Sequence, residues 1–285
     1  MTNKKKILIL GGSGYLGQYI SRRFEASEKY QVCIGDITGT PSSVNCTFIH
    51  VDALNKPDLK NAIKSNDIII NCIGQITNPI NVCLRINTEG IANIIDSVAL
   101  YKKKLFHIST VAVYGSKLYV DEQAELNPES PYSACKAFAE FQVISLAMIQ
   151  NSCILRLPNL YGENQPKGLI AYIKKSLSTD RILQFNNDGS LLRYFLHVQD
   201  CAEAIFIAVE KELSGIFNVT APDKCTIKEL IEMIESSESI KFDTNYLPAA
   251  PIENIEEICF DKFSMISGFT PQYNIHNYIK HSFHS

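Results

Sequence analysis

Residues 7–17 read Ile-Leu-Ile-Leu-Gly-Gly-Ser-Gly-Tyr-Leu-Gly, and the rest of the chain is organised around them. Ile7 to Leu10 is a short unbroken apolar run, which suits a strand buried on both faces of a parallel sheet. Gly11, Gly14 and Gly17 come next, with Gly12 beside the first. Beyond them Tyr15, Leu16, Tyr19, Ile20 and Phe24 recur at helical spacing. Strand, glycine turn and helix, in that order, make a dinucleotide-binding pattern. Gly11 permits the tight turn, Gly14 lets the backbone approach a pyrophosphate, and Gly17 lets helix and strand pack closely. The helix start then offers free N–H groups to the phosphates. The spacing is G-x-x-G-x-x-G rather than G-x-G-x-x-G, and glycine turns are common, so the turn alone does not decide the matter.

The second strand supplies the support. Val32-Cys33-Ile34 is apolar and Asp36 stands at its end, about 20 residues beyond the loop, as the fingerprint requires. A carboxylate there binds the adenosine ribose hydroxyls and repels a 2′-phosphate, which favours NAD over NADP. Gly35 and Gly39 flank Asp36, so an ordinary turn residue is the plain alternative.

Composition sets the outer bounds. The 285 residues suffice for one large or two modest domains. A net charge of −3 gives no basic surface for nucleic acid or an anionic membrane. Asn3-Lys4-Lys5-Lys6 resembles the start of a signal peptide, but the apolar run behind it is short and is needed as the first strand. No apolar stretch is long enough to span a bilayer. The nine cysteines are odd in number, scattered and without a C-x-x-C pair. They fit reduced thiols in a cytoplasmic enzyme, with no metal site.

Strands and helices alternate through the first half. Strands are expected at Phe48–Val51, Asp67–Cys72, Leu105–Ile108 and Cys153–Leu157. Helices are expected over Pro57–Lys64, over Asn87–Tyr101 and from Pro131 to about Gln150. The alternation predicts an α/β fold, a doubly wound parallel sheet of Rossmann type, with ligands at the carboxyl ends of the strands. The nucleotide-binding domain is expected over residues 1–157. A smaller C-terminal α/β substrate-binding lobe is expected over 158–285, partly interleaved with the sheet near 190–220. In that half Gly215–Thr220 is expected to return to the main sheet. Thr226 with Glu229 forms a capping box, and Asp261 is expected to cap a last short helix ending at Gly268. The helix from Pro131 is apolar nearly all round, so a second face needs covering. A copy of the chain in a homodimer is one answer, and burial under the C-terminal half is the other.

Tyr132-Ser-Ala-Cys-Lys136 lies in the first turns of that helix. Positions i and i+4 share a face. An ammonium beside a phenol favours phenolate and is expected to lower the Tyr132 pKa from its reference of about 10. That makes a general acid/base for neutral pH.

With these residues in place, the chain resembles an extended short-chain dehydrogenase/reductase of the NAD-dependent epimerase/dehydratase family, which acts on nucleotide sugars. The glycine loop resembles that family's phosphate loop, and Val51-Asp52-Ala53 its adenine-contacting turn. Asn87-Thr-Glu-Gly90, His107-Ile-Ser-Thr-Val-Ala-Val-Tyr-Gly115, Arg156-Leu-Pro-Asn-Leu-Tyr-Gly162 and Leu192–Asp200 resemble its later motifs in order. The resemblance implies a cofactor site of Gly11, Gly14, Tyr15, Leu16, Gly17, Asp36, Asp52, Ala53, Cys72, Asn87, Tyr132, Lys136 and Pro158. It implies that Thr110 hydrogen-bonds the reacting sugar oxygen, that Tyr132 exchanges the proton, and that Lys136 holds the nicotinamide ribose. It assigns Asn159 and Arg193 to the substrate diphosphate. His197 and Asp200 read as structural, His107 as a satisfied core histidine, and Cys135 as a packing residue.

Departures narrow the chemistry. The family's 4,6-dehydratases carry Asp-Glu after the threonine, whereas Val111 and Ala112 stand here. Neither side chain can move a proton, so the resemblance implies C4 epimerisation of a nucleoside-diphosphate hexose or, as the alternative, reduction of its 4-ketone by NAD(P)H. A non-catalytic NAD-binding regulator or scaffold is the alternative of another class, set against the presence of Thr110, Tyr132 and Lys136 together.

Overall fold

The computed structural model describes residues 4–39, 46–74, 78–145, 151–249 and 252–283. Its elements begin with β1 (Lys5–Leu10), α1 (Tyr15–Ala26), β2 (Tyr30–Asp36), β3 (Thr47–His50), α2 (Lys56–Lys64) and β4 (Ile68–Asn71). Then come α3 (Ile80–Arg85), a π turn at Ile86–Gly90, α4 (Ile91–Tyr101), β5 (Lys104–Thr110) and a 3₁₀ turn at Val111–Tyr114. The middle of the chain holds β6 (Lys117–Val120), α5 (Pro131–Ser145), β7 (Ser152–Leu157), β8 (Asn159–Tyr161), α6 (Leu169–Leu177), β9 (Ile182–Phe185) and β10 (Leu192–His197). The chain ends with α7 (Val198–Glu210), β11 (Gly215–Asn218), β12 (Lys224–Thr226), α8 (Ile227–Glu238), β13 (Asp243–Tyr246), β14 (Ile255–Ile258), α9 (Asp261–Ser267) and α10 (Ile275–Ser282).

Seven strands form one parallel sheet in the order β11-β7-β5-β4-β1-β2-β3. The order reverses between β1 and β4, and such a switch point opens a crevice at the carboxyl ends of the strands. The apolar run of β1 serves both faces. Ile7 and Ile9 join one core with Ile20, Phe24 and Phe206, while Leu8 and Leu10 join the other with Ile63, Ile94 and Val143. This two-sided burial is why the run does not alternate with polar residues. β11, from the second half of the chain, pairs with β7 and completes the sheet, and α7 packs on α1. A third core, with Tyr161, Ile170, Leu230 and Ile279, lies under the C-terminal helices.

Several expectations change. The helix expected from Asn87 begins earlier, at Ile80, and carries the π turn at Ile86–Gly90. Asp261 is not a cap: it occupies the first turn of α9 after Phe260, and α10 comes after it, capped by the Asn274 side chain. α9 does end at Gly268 in the left-handed conformation, and the Thr226–Glu229 capping box is formed. His197 caps α7, and the Asp200 carboxylate accepts the N–H groups of Gln272 and Tyr273. The expected continuation of α5 over 146–150, with Leu146, Ala147, Met148 and Ile149, lies outside the described residues, as does Pro251. Within α5, Phe138, Phe141 and Ile144 are exposed, so the C-terminal half of the same chain does not cover them.

Candidate active site

The glycine turn builds the first wall. Gly11 has a positive φ of 74°, and its N–H donates to Gly35 O at 2.8 Å. A Cβ on Gly17 would stand 2.4 Å from Gly11 O and 2.6 Å from Gly12 Cα, so only glycine lets α1 approach the turn. Gly14 caps α1 with no side-chain hydrogen bond, leaving the first N–H groups to a ligand. The Asp36 carboxylate accepts from Ser13 N at 3.1 Å and from Ile37 N at 2.8 Å, which ties the end of β2 to the loop.

Two cavities adjoin this wall. One, of about 200 Å3, is lined by Gly11, Gly14, Gly17, Asp36, Asp52 and Ala53 together with Tyr15, Leu16 and Cys72. The other, of about 410 Å3, shares Tyr15, Leu16 and Cys72 and is lined by Thr110, Tyr132, Lys136, Pro158, Asn159 and Arg193. The fold therefore brings every sequence-predicted site residue to one crevice except Asn87. Asn87 is fully buried in the π turn, donating to Cys83 O at 2.9 Å. Its Oδ1 has no hydrogen-bond partner, and a Cβ on Gly74 would lie 2.2 Å from that oxygen and 3.3 Å from Lys136 Nζ. Asn87 thus lies outside both linings, with its Oδ1 against Gly74, which lines the smaller cavity.

The chemistry converges in the larger cavity. Thr110 Oγ1 accepts from Ala112 N at 3.2 Å, which leaves its own O–H to donate. Lys136 Nζ donates to Ile108 O at 2.7 Å, and burial pulls the ammonium down to about 8, against smaller opposing effects of Cys72, Glu140 and Cys135. The expected lowering of the Tyr132 phenol is not found. Burial raises it above its ordinary value, and the Glu253 carboxylate and the Cys83 thiol add to the rise. The physical reason is that the Lys136 ammonium is spent on the Ile108 carbonyl while the phenol is desolvated. Arg193 donates to the carbonyls of Glu253 at 2.6 Å, Leu192 at 3.4 Å and Ile252 at 3.4 Å, and Asn159 donates to Tyr194 O at 3.3 Å.

His107 is a further correction. Asn71 Nδ2 meets its Nδ1 at 3.1 Å, but its buried Nε2 has no partner. Burial, and then Lys136, hold the ring neutral, well below the usual histidine range. Cys135 is buried, as expected of a packing residue. Sequence reasoning passed over Gln165, Lys167 and Glu253, which also line the larger cavity. They lie in irregular segments, where a polar residue carries no periodic signal; the pointer is their closeness to proline and glycine. Among the described residues no helix is long and apolar enough to cross a membrane.

Comparison with known proteins agrees with this geometry. Residues 7–220 match the model of the NAD dependent epimerase/dehydratase family. A putative UDP-glucose 4-epimerase of Methanocaldococcus jannaschii is 31% identical over 80% of this chain and 81% of its own length. A UDP-N-acetyl-alpha-D-glucosaminuronate decarboxylase of Bacillus cytotoxicus is 24% identical over 81% of this chain and 79% of its own. Among solved structures, dTDP-glucose 4,6-dehydratase of Bacillus anthracis, in complex with NAD, superposes with a TM-score of 0.85 at 24% identity, covering 98% of this chain and 96% of that one. UDP-glucuronic acid 4-epimerase of Bacillus cereus gives 0.86 at 22%, covering 98% of each. At those identities the superpositions speak for the fold.

Proposed function

Because the chain belongs to the NAD dependent epimerase/dehydratase family, we propose that it modifies nucleotide sugars with NAD and inverts C4 of a nucleoside-diphosphate hexose. The observation that carries this reading is the shared cavity of Thr110, Tyr132 and Lys136, with Val111 and Ala112 lining it where an eliminating enzyme needs acid and base. The relative from Methanocaldococcus jannaschii, itself described as a putative UDP-glucose 4-epimerase, supports it.

The residues present fit the cofactor. The Gly11–Gly17 turn, crowded by its own backbone at Gly17 and less tightly at Gly14, would hold the pyrophosphate, with Tyr15 and Leu16 lining the same cavity. Asp36 would bind the ribose hydroxyls, and Asp52 and Ala53 would take the adenine. Cys72 and Pro158 would flank the nicotinamide end, where Lys136 would hold the ribose, and Asn87 would support the Gly74 turn beside it. NAD, when bound, accepts hydride from C4 and returns it.

The side chains handle the proton and the orientation. Thr110 donates to the reacting oxygen. Once its raised value is brought down by bound cofactor and substrate, the Tyr132 phenolate would take the hydroxyl proton as the 4-ketone forms and give it back after the sugar has turned its other face. Asn159 and Arg193 hold the diphosphate through that turn. A second reading, a 4-ketoreductase using NAD(P)H, is favoured by one observation: Tyr132 is held in its protonated form, the state that delivers a proton to a ketone.

Two further assignments belong to this reading. The exposed Ile80 and Leu84 of α3 and Phe138, Phe141 and Ile144 of α5 supply an apolar face for a second copy in a homodimer. The odd number and scatter of the nine cysteines in the sequence suit a reducing, cytoplasmic setting. The test is to denature freshly purified protein and quantify released NAD, then assay interconversion of UDP-glucose and UDP-galactose. Retained NAD with interconversion supports the epimerase; an exchanging site with NADH oxidation by 4-keto nucleotide sugars supports the reductase; neither activity rejects both.

A further inference from the structure

Lys136 stands one helical turn after Tyr132, and one turn further along α5 stands Glu140. Its carboxylate is fully buried. It accepts Arg156 Nη2 at 2.6 Å, Arg156 Nε at 3.1 Å and the Ser109 hydroxyl. Arg156 is also buried and donates through Nη1 to Tyr114 Oη at 2.7 Å. The Tyr114 hydroxyl donates to Asn218 Oδ1 at 2.8 Å, and Asn218 N donates to Glu122 Oε1 at 2.9 Å.

A buried ion pair is a poor source of stability, because desolvation of both charges offsets most of their attraction. Apolar side chains would fill the same space at smaller cost. A forked guanidinium on a carboxylate does fix orientation. Here it fixes three elements at once. α5 carries Tyr132 and Lys136. Ser109 precedes Thr110 at the end of β5 and pairs in register with Arg156. β7, which carries Arg156, leads directly into Pro158 and Asn159.

We infer that Glu140, gripped by Arg156, is a positioning residue that holds the Tyr132–Lys136 side of α5 in register with the strand end bearing Thr110. The inference rests on the proposed roles of those three residues. Glu140 also acts on Lys136 through space. The other groups that face Lys136 are Cys72 at the end of β4, His107 on β5 and Cys135 on α5. Of all these Glu140 is the carboxylate, so its removal leaves Lys136 easier to deprotonate.

The experiment compares wild type, Glu140→Gln and the doubly neutral Glu140→Leu/Arg156→Met as NAD-loaded proteins. Nitrogen-15 NMR of the lysine side chains, with Lys136 identified by its loss in Lys136→Met, reads its titration without any substrate. Lys136 is expected to titrate about one pH unit lower in both variants, since each removes the Glu140 carboxylate that acts on it. Turnover per NAD-loaded site is expected to fall on the order of 10- to 100-fold in both variants, with KM little changed. Unchanged titration and unchanged turnover, with only the melting temperature lowered, would overturn the inference. If Glu140→Gln does not fold, turnover of the double variant decides. If wild type turns over no nucleotide sugar, the proposed function fails, and the Lys136 titration still decides the role of Glu140.

Discussion

Lys136 and Ile108 are joined by a 2.7 Å hydrogen bond from ammonium to main-chain carbonyl, although the ammonium shares a helix face with the Tyr132 phenol. Burial lowers Lys136 to about 8, against an ordinary value near 10.4. The folded state therefore releases this proton earlier than the unfolded chain. Below about pH 8 the buried charge costs stability, and the cost is relieved as pH rises from about 8 to about 10. Lys136→Met is expected to raise stability at pH 7 by roughly 3 kcal/mol and to flatten the rise above pH 8. Urea unfolding of both proteins at pH 7 and pH 10 checks this; equal stability at pH 7 counts against the buried charge.

Tyr132→Phe removes the proton carrier and leaves the ring. Turnover is expected to fall roughly 100- to 10,000-fold, while NAD released on denaturation stays at the wild-type ratio. Full activity in the phenylalanine variant would remove Tyr132 from the mechanism.

Asp36 holds Ser13 N and Ile37 N while lining the smaller cavity. Asp36→Ala is expected to weaken NAD about tenfold and NADP less, because the wild-type carboxylate already repels a 2′-phosphate. Calorimetric titration with both cofactors gives the comparison, and equal losses would remove the carboxylate from cofactor choice.

Phe141 is 59% exposed on the outer face of α5. If a second copy covers that face, Phe141→Asp buries a charge at the contact and the assembly falls to single chains. Light scattering behind size exclusion reads the mass directly. A single-chain mass for the wild type would reject the homodimer.

Much of this arrangement was legible in the sequence because it is local. β1 announces itself, since a strand covered on both faces has no reason to alternate, and the Gly11–Gly17 spacing states how closely α1 must approach. The spacing of Tyr132 and Lys136 pairs those two, but Thr110 lies well before them in the chain, and only the resemblance joined it to the pair. The parallel pair β6 and β14 was not legible: its register sets Lys117 beside Ile255, and Leu118 and Tyr119 point to solvent. The Tyr132 ionisation was misjudged for a related reason. The spacing of Tyr132 and Lys136 says that they share a face, but not that a carbonyl on a neighbouring strand takes the ammonium or that Glu253, from the far end of the chain, stands near the phenol.

The docking of β11 on β7 has a consequence for how the protein is made. When a ribosome has delivered the chain as far as Leu157, the nascent sheet ends at β7 with its outer hydrogen-bonding groups bare. That edge waits for Gly215–Asn218, and the α1 face waits for α7. An unpaired apolar edge of this kind invites association with other nascent chains. A product stopped at residue 157 is therefore expected to emerge insoluble, and synthesis of the second half to act as the step that closes the first.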